Sequence, residues 1–327
     1  MATHPPGGHI TSRRRRLAVS TRENALRFVV LIGVVSLFAD MTYEAARGIN
    51  GSFLAVLGAG ALAVGVISGA GELLGYAVRL ASGIFAGRSG RYWLWAGLGY
   101  VINLLAVPAL ALTDRWELAA GLIIAERIGK GLRNPPRDTM LSFAGSVIGQ
   151  GWAFALREAL DQAGAMVGPL LVGVILLVRH GDFRLAYGIL LVPAVLSLVV
   201  LVASRWLFPR PRVLEPVGTA GPAGSTAERT LPSTFWFYLM GMALVAVGYA
   251  DFNLVSYHLQ RTGEPTGVIP LLYTLAMGTA GLSALVVGRW FDRRGMGALV
   301  VAVLGAAVFA PLAFLGYLPL ASVGIAL

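Results

Sequence analysis

The chain has 327 residues, of which 57% are hydrophobic and only 13% charged, whereas ordinary soluble domains carry about 25% charged residues. That balance excludes a soluble fold, and apolar runs of roughly 20 residues, enough to cross a bilayer, recur along almost the whole length. The formal charge of +10 comes from arginines gathered at one set of loop ends, which is a topology signal and not a nucleic-acid surface. The absence of cysteine excludes disulfides, thiolate metal sites and cysteine catalysis.

Residues 1–27 read as a cytoplasmic tail. Arg13 to Arg16 are followed by the polar stretch Leu17 to Asn24, a pattern unlike a cleavable signal. About nine spans and a stub follow, near 28–57, 61–83, 92–112, 116–141, 152–178, 185–208, 235–259, 266–289 and 297–317. Pro209 to Ser233, rich in Pro, Gly, Thr and Arg, reads as a flexible cytoplasmic linker between a six-helix bundle (28–208) and a second helical unit (234–327). Arg13–Arg16, Arg22, Arg88, Arg91, Arg210, Arg212, Arg229, Arg293 and Arg294 all fall on one side of this arrangement. The positive-inside rule places that side, with the N-terminus, in the cytoplasm.

Intramembrane ionisable residues are costly and mark functional positions by default. In the first span, Asp40, Tyr43, Glu44 and Arg47 follow i, i+3, i+4, i+7 spacing and share a face. Glu44 and Arg47 alternatively form an inert pair near the outer end. Glu72, Tyr76 and Arg79 repeat the pattern in the second span. The fourth carries Glu126, Lys130 (the only lysine), Arg133 and Arg137 on one stripe, with Arg127 about 100° away. Pro135-Pro136 is expected to kink or end that helix, leaving Arg133, Arg137 and Asp138 as cytoplasmic charges. The deeper Glu126, Arg127 and Lys130 are suited to hold an anionic solute or a carboxylate of the first or fifth span. Arg157, Asp161, Gly164 and Gly168 form one stripe of the fifth span. There the acid and base can satisfy each other, and the glycines allow close helix approach. Asp251 of the seventh span faces no obvious cation.

An internal repeat ties the two units together. Gly83-Ile-Phe-Ala-Gly87-Arg88-Ser-Gly90-Arg91 closes the second span, and Gly288-Arg-Trp-Phe-Asp292-Arg293-Arg-Gly295 closes the eighth. Phe38-Ala39-Asp40 has a counterpart in Tyr249-Ala250-Asp251. These loops resemble the paired loop motif of the major facilitator superfamily, although Gly87 stands where the family has an acid. Arg127-Ile-Gly-Lys130-Gly131 is similar to the family's helix-four motif. Gly164-Ala-Met-Val-Gly168-Pro169-Leu-Leu-Val-Gly173 is similar to its helix-five antiporter motif. Arg127 to Asp138, followed by Arg157-Glu-Ala-Leu-Asp161, resembles a bacterial, drug-efflux-like subgroup.

The resemblance implies an all-α membrane protein with two pseudo-repeated bundles of six helices. Only about 12 Å of helix remains after Pro319, so the second bundle is expected to be incomplete: three helices and a stub. It further implies a monomeric, proton-coupled carrier of a small molecule or ion that works in the bilayer by alternating access. Efflux is the direction implied, with no enzyme activity, metal or cofactor. Asp40, Glu72 or Asp161 would carry the proton, Arg127 or Lys130 would release it, and Gly83, Arg88, Gly90, Arg91, Gly288, Asp292, Arg293 and Gly295 would gate. Asp40→Asn would abolish coupling and leave insertion intact. A non-transporting membrane sensor or scaffold is the alternative. An intramembrane enzyme lacks support, because no His/Glu metal motif, nucleophile elbow or phosphate-binding loop is present.

Overall fold

The computed structural model describes residues 8–214, 235–237, 239–241, 244, 251–294, 296–307, 312 and 314. Within that set, side chains are described from Arg22 to Ala280 and at scattered later positions. Every regular element among the described residues is helical. They are α1 (Gly8–Val56), α2 (Ala61–Ser89), α3 (Tyr92–Ala109), α4 (Trp116–Ile148), α5 (Gln150–Val178), α6 (Phe183–Ile189), α7 (Leu191–Leu207), α8 (Phe252–Arg261), α9 (Val268–Arg294) and α10 (Met296–Ala306). Residue 27 is therefore no boundary: α1 begins at Gly8 and takes in the polar stretch before its apolar part.

Among the described residues, five helical stretches are long and apolar enough to cross a membrane: Arg22–Val56, Ala61–Ser89, Tyr92–Leu112, Gln150–Val178 and Phe183–Leu207. The last is α6 and α7 together, and its break at Leu190 has a backbone cause. Pro193 has no N–H to offer the carbonyl of Ile189, where α6 ends. α4 is too charged to meet the same measure, yet it lies inside the bundle against α2 and α3, burying Ala119, Ile123, Met140 and Leu141.

The double proline does not break α4. The helix runs on through Pro135 and Pro136 to Ile148. Pro136 cannot donate to the carbonyl of Leu132, and Ser82 Oγ from α2 donates to it instead, at 2.7 Å. A hydroxyl on a neighbouring helix thus replaces the missing backbone donor.

α1 is the central strut, packing most extensively on α5 and also on α7, α8 and α4. A Cβ added at Gly164 or Gly168 of α5 would collide with the α1 backbone at Leu37 and Met41, so only glycine permits this approach. Gly173 meets the side chain of Leu271 on α9, and Pro169, between Gly168 and Gly173 in sequence, is buried.

Two apolar layers cap the bundle. One gathers Phe28, Ile32, Tyr92, Trp93, Met140 and Leu201, and the other Phe53, Leu54, Val107, Ile123, Val172 and Tyr187. Between these layers in sequence, on α1, α4 and α5, lie the ionisable residues. On these helices the ionisable residues therefore fall between two apolar clusters.

Two further expectations need correction. The segment from Pro209 is not flexible throughout. Pro211–Leu214 forms a 3-10 turn with Leu214 buried, and Arg212 Nη2 donates to Tyr92 Oη at 2.9 Å. Residues 215–234 lie outside those described. The seventh span was expected over 235–259, but Asp251 has extended backbone (φ −66, ψ 141) and caps α8, accepting from Asn253 N at 2.8 Å. It is not the mid-helix equivalent of Asp40.

Candidate functional site

The face of α1 read from sequence opens onto two cavities. The larger, about 840 Å³, lies among α1, α2, α4 and the start of α8. α2 supplies Gly65, Ser68, Gly69, Glu72, Gly75, Tyr76 and Arg79 to its wall, one stripe at helical spacing. Arg127, Lys130, Gly131 and Asn134 of α4 form a second stripe. The two helices meet closely, because a Cβ at Gly131 would collide with the carbonyl of Gly75.

The charges in this cavity are cross-linked. Arg127 Nη1 pairs with Glu72 Oε1 and donates to Tyr43 Oη at 2.8 Å. Arg47 donates to the same phenol oxygen at 3.2 Å, and its Nη2 lies 3.3 Å from Asp251 and 3.6 Å from Glu72. The inert Glu44–Arg47 pair is not formed. Glu44 instead accepts from Tyr273 Oη of α9 at 2.5 Å and faces Lys130 Nζ at 3.6 Å. Lys130 Nζ also sits 3.4 Å from the centre of the Tyr43 ring. Asp251, expected to lack a cation, is one of two acids held by Arg47. Glu126 stands behind this site: it accepts from Asn103 of α3 at 2.7 Å and lies 3.5 Å from Arg127 Nε.

The smaller cavity, about 320 Å³, lies among α1, α4 and α5, with Met277 of α9 also on its wall. Asp40 is there, 3.2 Å from Arg133 Nη2. Arg133, Arg137 and Asp138 are not cytoplasmic surface charges. Arg133 is 0% exposed and stacks over Tyr100 at 4.6 Å, and Arg137 is buried and paired with Asp138 at 2.9 Å. The reason is the unbroken α4, which keeps them inside the bundle. Arg157 joins Asp161 at 2.8 Å, as the i, i+4 spacing anticipated, and also Glu158 at 2.5 Å.

The structure thus brings Tyr43, Arg47, Glu72, Arg79, Arg127, Lys130 and Asp251 to one cavity and Asp40, Arg157 and Asp161 to the other. Lys130, Arg79 and Asn134 line both. The sequence reading missed Arg133 as Asp40's partner and Tyr273 as Glu44's. Arg133 could have been found from its place on the Glu126–Lys130–Arg137 stripe; Tyr273 carried no such signal.

Of the first loop, Gly83, Arg88, Gly90 and Arg91 line neither cavity, and Gly83 faces Pro135 of α4. Gly90 takes a left-handed conformation (φ 65), and its N–H closes α2 on Ala86. Arg88 is in the last turn of α2 and Arg91 opens α3; both are exposed. Gly288, Asp292 and Arg293 fall on α9 with side chains outside those described, and Gly295 is outside the described residues.

Residues 30–327 match the sequence profile of the Major Facilitator Superfamily. An uncharacterized protein of Mycobacterium tuberculosis is 41% identical over 281 residues, covering 85% of this chain and 68% of that protein. An uncharacterized MFS-type transporter of Methanocaldococcus jannaschii is 27% identical over 184 residues, 56% of this chain and 45% of that one. Among solved structures, the nucleoside transporter NupG superposes with a TM-score of 0.70 at 12% identity, over 91% of this chain and 78% of that chain. A bacterial homolog of the human lysosomal transporter Spinster superposes with a TM-score of 0.65 at 17% identity, over 91% of this chain and 70% of that chain.

Proposed function

Because the chain belongs to the Major Facilitator Superfamily and is a multi-pass membrane transporter by that membership, we propose that it moves a small solute across the cytoplasmic membrane in exchange for protons. Alternating access about the charged layer is the mechanism proposed. The N-terminus is cytoplasmic, the protein works as a monomer, and efflux is the direction. One observation carries this reading: Glu72, 36% exposed at its side chain to the larger cavity, shares two cations with other acids.

The charge balance favours Glu72 over Asp40 as proton carrier. If Glu72 takes a proton, Arg127 keeps Glu126 and the Tyr43 oxygen, and Arg47 keeps Asp251. Neither cation is stranded. If Asp40 takes a proton, Arg133 loses its one carboxylate within 4 Å among the described residues. An uncompensated buried guanidinium costs several kcal/mol, so Asp40 acts as a fixed counter-ion.

Arg47–Asp251 and Tyr273–Glu44 tie α1 to α8 and α9. In an alternating-access cycle these contacts would have to break and re-form, which gives the site its coupling to the access state.

The test is Glu72→Gln in proteoliposomes. Solute-driven proton movement should vanish while solute–solute counterflow persists, since Gln keeps the hydrogen-bonding oxygen and loses only the titration. Coupled proton movement at the parent rate in this variant would remove Glu72 from the mechanism. A protein that binds solutes but shows no counterflow in any panel would instead be a non-transporting sensor.

A further inference from the structure

The larger cavity has a charge imbalance that the exchange mechanism does not use. Its wall carries Arg47, Arg79, Arg127 and Lys130 against Glu72 and Asp251. Arg47 and Arg127 are engaged with those acids, and Lys130 leans on Glu44 behind the wall. Arg79 is exposed, lines both cavities and is in none of the ion pairs formed within 4 Å among the described residues. Asn134, also on the wall, is 8% exposed, and among the described residues its Oδ1 has no donor and the buried Arg47 Nε no acceptor. Two tyrosines, Tyr43 and Tyr76, also face the space, and Gly69 opens onto it with nothing within 4 Å of a built Cβ.

We propose that the transported solute is a small organic anion, held through a carboxylate or comparable oxyanion by Arg79 together with Lys130. This rests on the transporter reading above and adds the substrate class. The Arg79 guanidinium is exposed at the cavity wall, where a planar oxyanion can take two of its donors. A cationic solute would face three arginines and a lysine with both cavity acids already paired. A neutral solute would leave the Arg79 charge unanswered. The open wall at Gly69 leaves room for the organic body beside the tyrosine rings, and the volume is that of ordinary small-molecule sites.

The experiment is thermal-shift and equilibrium binding on the purified protein. The probes are organic solutes in matched sets that differ only in charge: 2-naphthoate, 2-naphthamide and 2-naphthylmethylammonium, with aliphatic carboxylate, amide and amine counterparts. Stabilisation by the anions alone is expected. Arg79→Gln should weaken anion binding about tenfold or more without lowering the melting temperature of the unliganded protein, since no ion pair is broken. Gly69→Trp, which fills open space, should abolish binding with the fold intact, and it serves equally if Arg79→Gln fails to fold. Binding of cations or neutral solutes in preference to anions, no stabilisation by any anion, or anion binding insensitive to both variants would each overturn the proposal. Counterflow separates the two readings. Transport of a cationic or neutral solute refutes the anion class and keeps the transporter, whereas anion binding without counterflow keeps the site and refutes transport.

Discussion

Replacing Asp40 by Asn separates a proton carrier from a counter-ion. Arg133 is 0% exposed, its Nε and Nη1 have no protein acceptor, and its Nη2 lies 3.2 Å from Asp40. The remaining favourable neighbour is the face of Tyr100, 4.6 Å away. Breaking a buried ion pair by removing one partner costs about 3–5 kcal/mol. Asn keeps an oxygen for Nη2, so the lower end, about 3 kcal/mol, is expected. At about 2–4 °C per kcal/mol the apparent melting temperature should fall by about 6–12 °C. Thermal unfolding in detergent reads this directly, with proton movement measured on the protein that remains folded. Adding Arg133→Met should restore most of the loss, because both charges are then gone and the methionine fills the space. An Asp40→Asn protein that melts like the parent but moves no protons would refute the counter-ion argument and return the carrier role to Asp40.

Other outcomes follow from the same contacts. Ser82→Ala removes the hydroxyl that serves the Leu132 carbonyl and should cost about 1 kcal/mol, visible as a drop of about 2–4 °C in melting temperature; an unchanged melt would show that water serves as well. Gly168→Val drives a side chain into the α1 backbone at Met41 and should lose folded yield in size-exclusion profiles, whereas Gly173→Ala, whose closest clash is with the movable Leu271 side chain and whose backbone neighbour, the Gly267 carbonyl, stays 3.2 Å away, should be milder; equal yields would contradict the packing account. A double-mutant cycle of Arg47→Gln and Asp251→Asn should give a coupling of about 0.5–3 kcal/mol in stability, and strict additivity would mean that the 3.3 Å pair contributes nothing. Trypsin added to inside-out vesicles should cut at Arg229 before Arg212, whose guanidinium is held on Tyr92; resistance from the cytoplasmic side would overturn the proposed topology.

Much of the architecture was legible in one dimension, because a membrane helix must be long, apolar and internally hydrogen-bonded. The spans from 61, 92 and 116 begin where expected, and the spacing of Asp40, Tyr43, Glu44 and Arg47 predicted a shared face. Periodicity states which residues share a face; it does not state which helix that face meets. Only the packing decided that Arg47 reaches Asp251 and Glu72 while Glu44 turns to Tyr273 and Lys130. The double proline misled for a related reason. Local rules count the missing N–H groups, but α4 survives on a hydroxyl from Ser82, 50 residues away in sequence. Because α4 continues, Arg133 and Arg137 lie inside the bundle and not at its end, and the charge of Asp40 is committed to one of them. Composition and spacing determined that this chain holds ionisable side chains within an apolar, membrane-spanning fold. Which charges neutralise one another depends on helix crossings set by glycines such as Gly131 and Gly168, and these exist only in three dimensions.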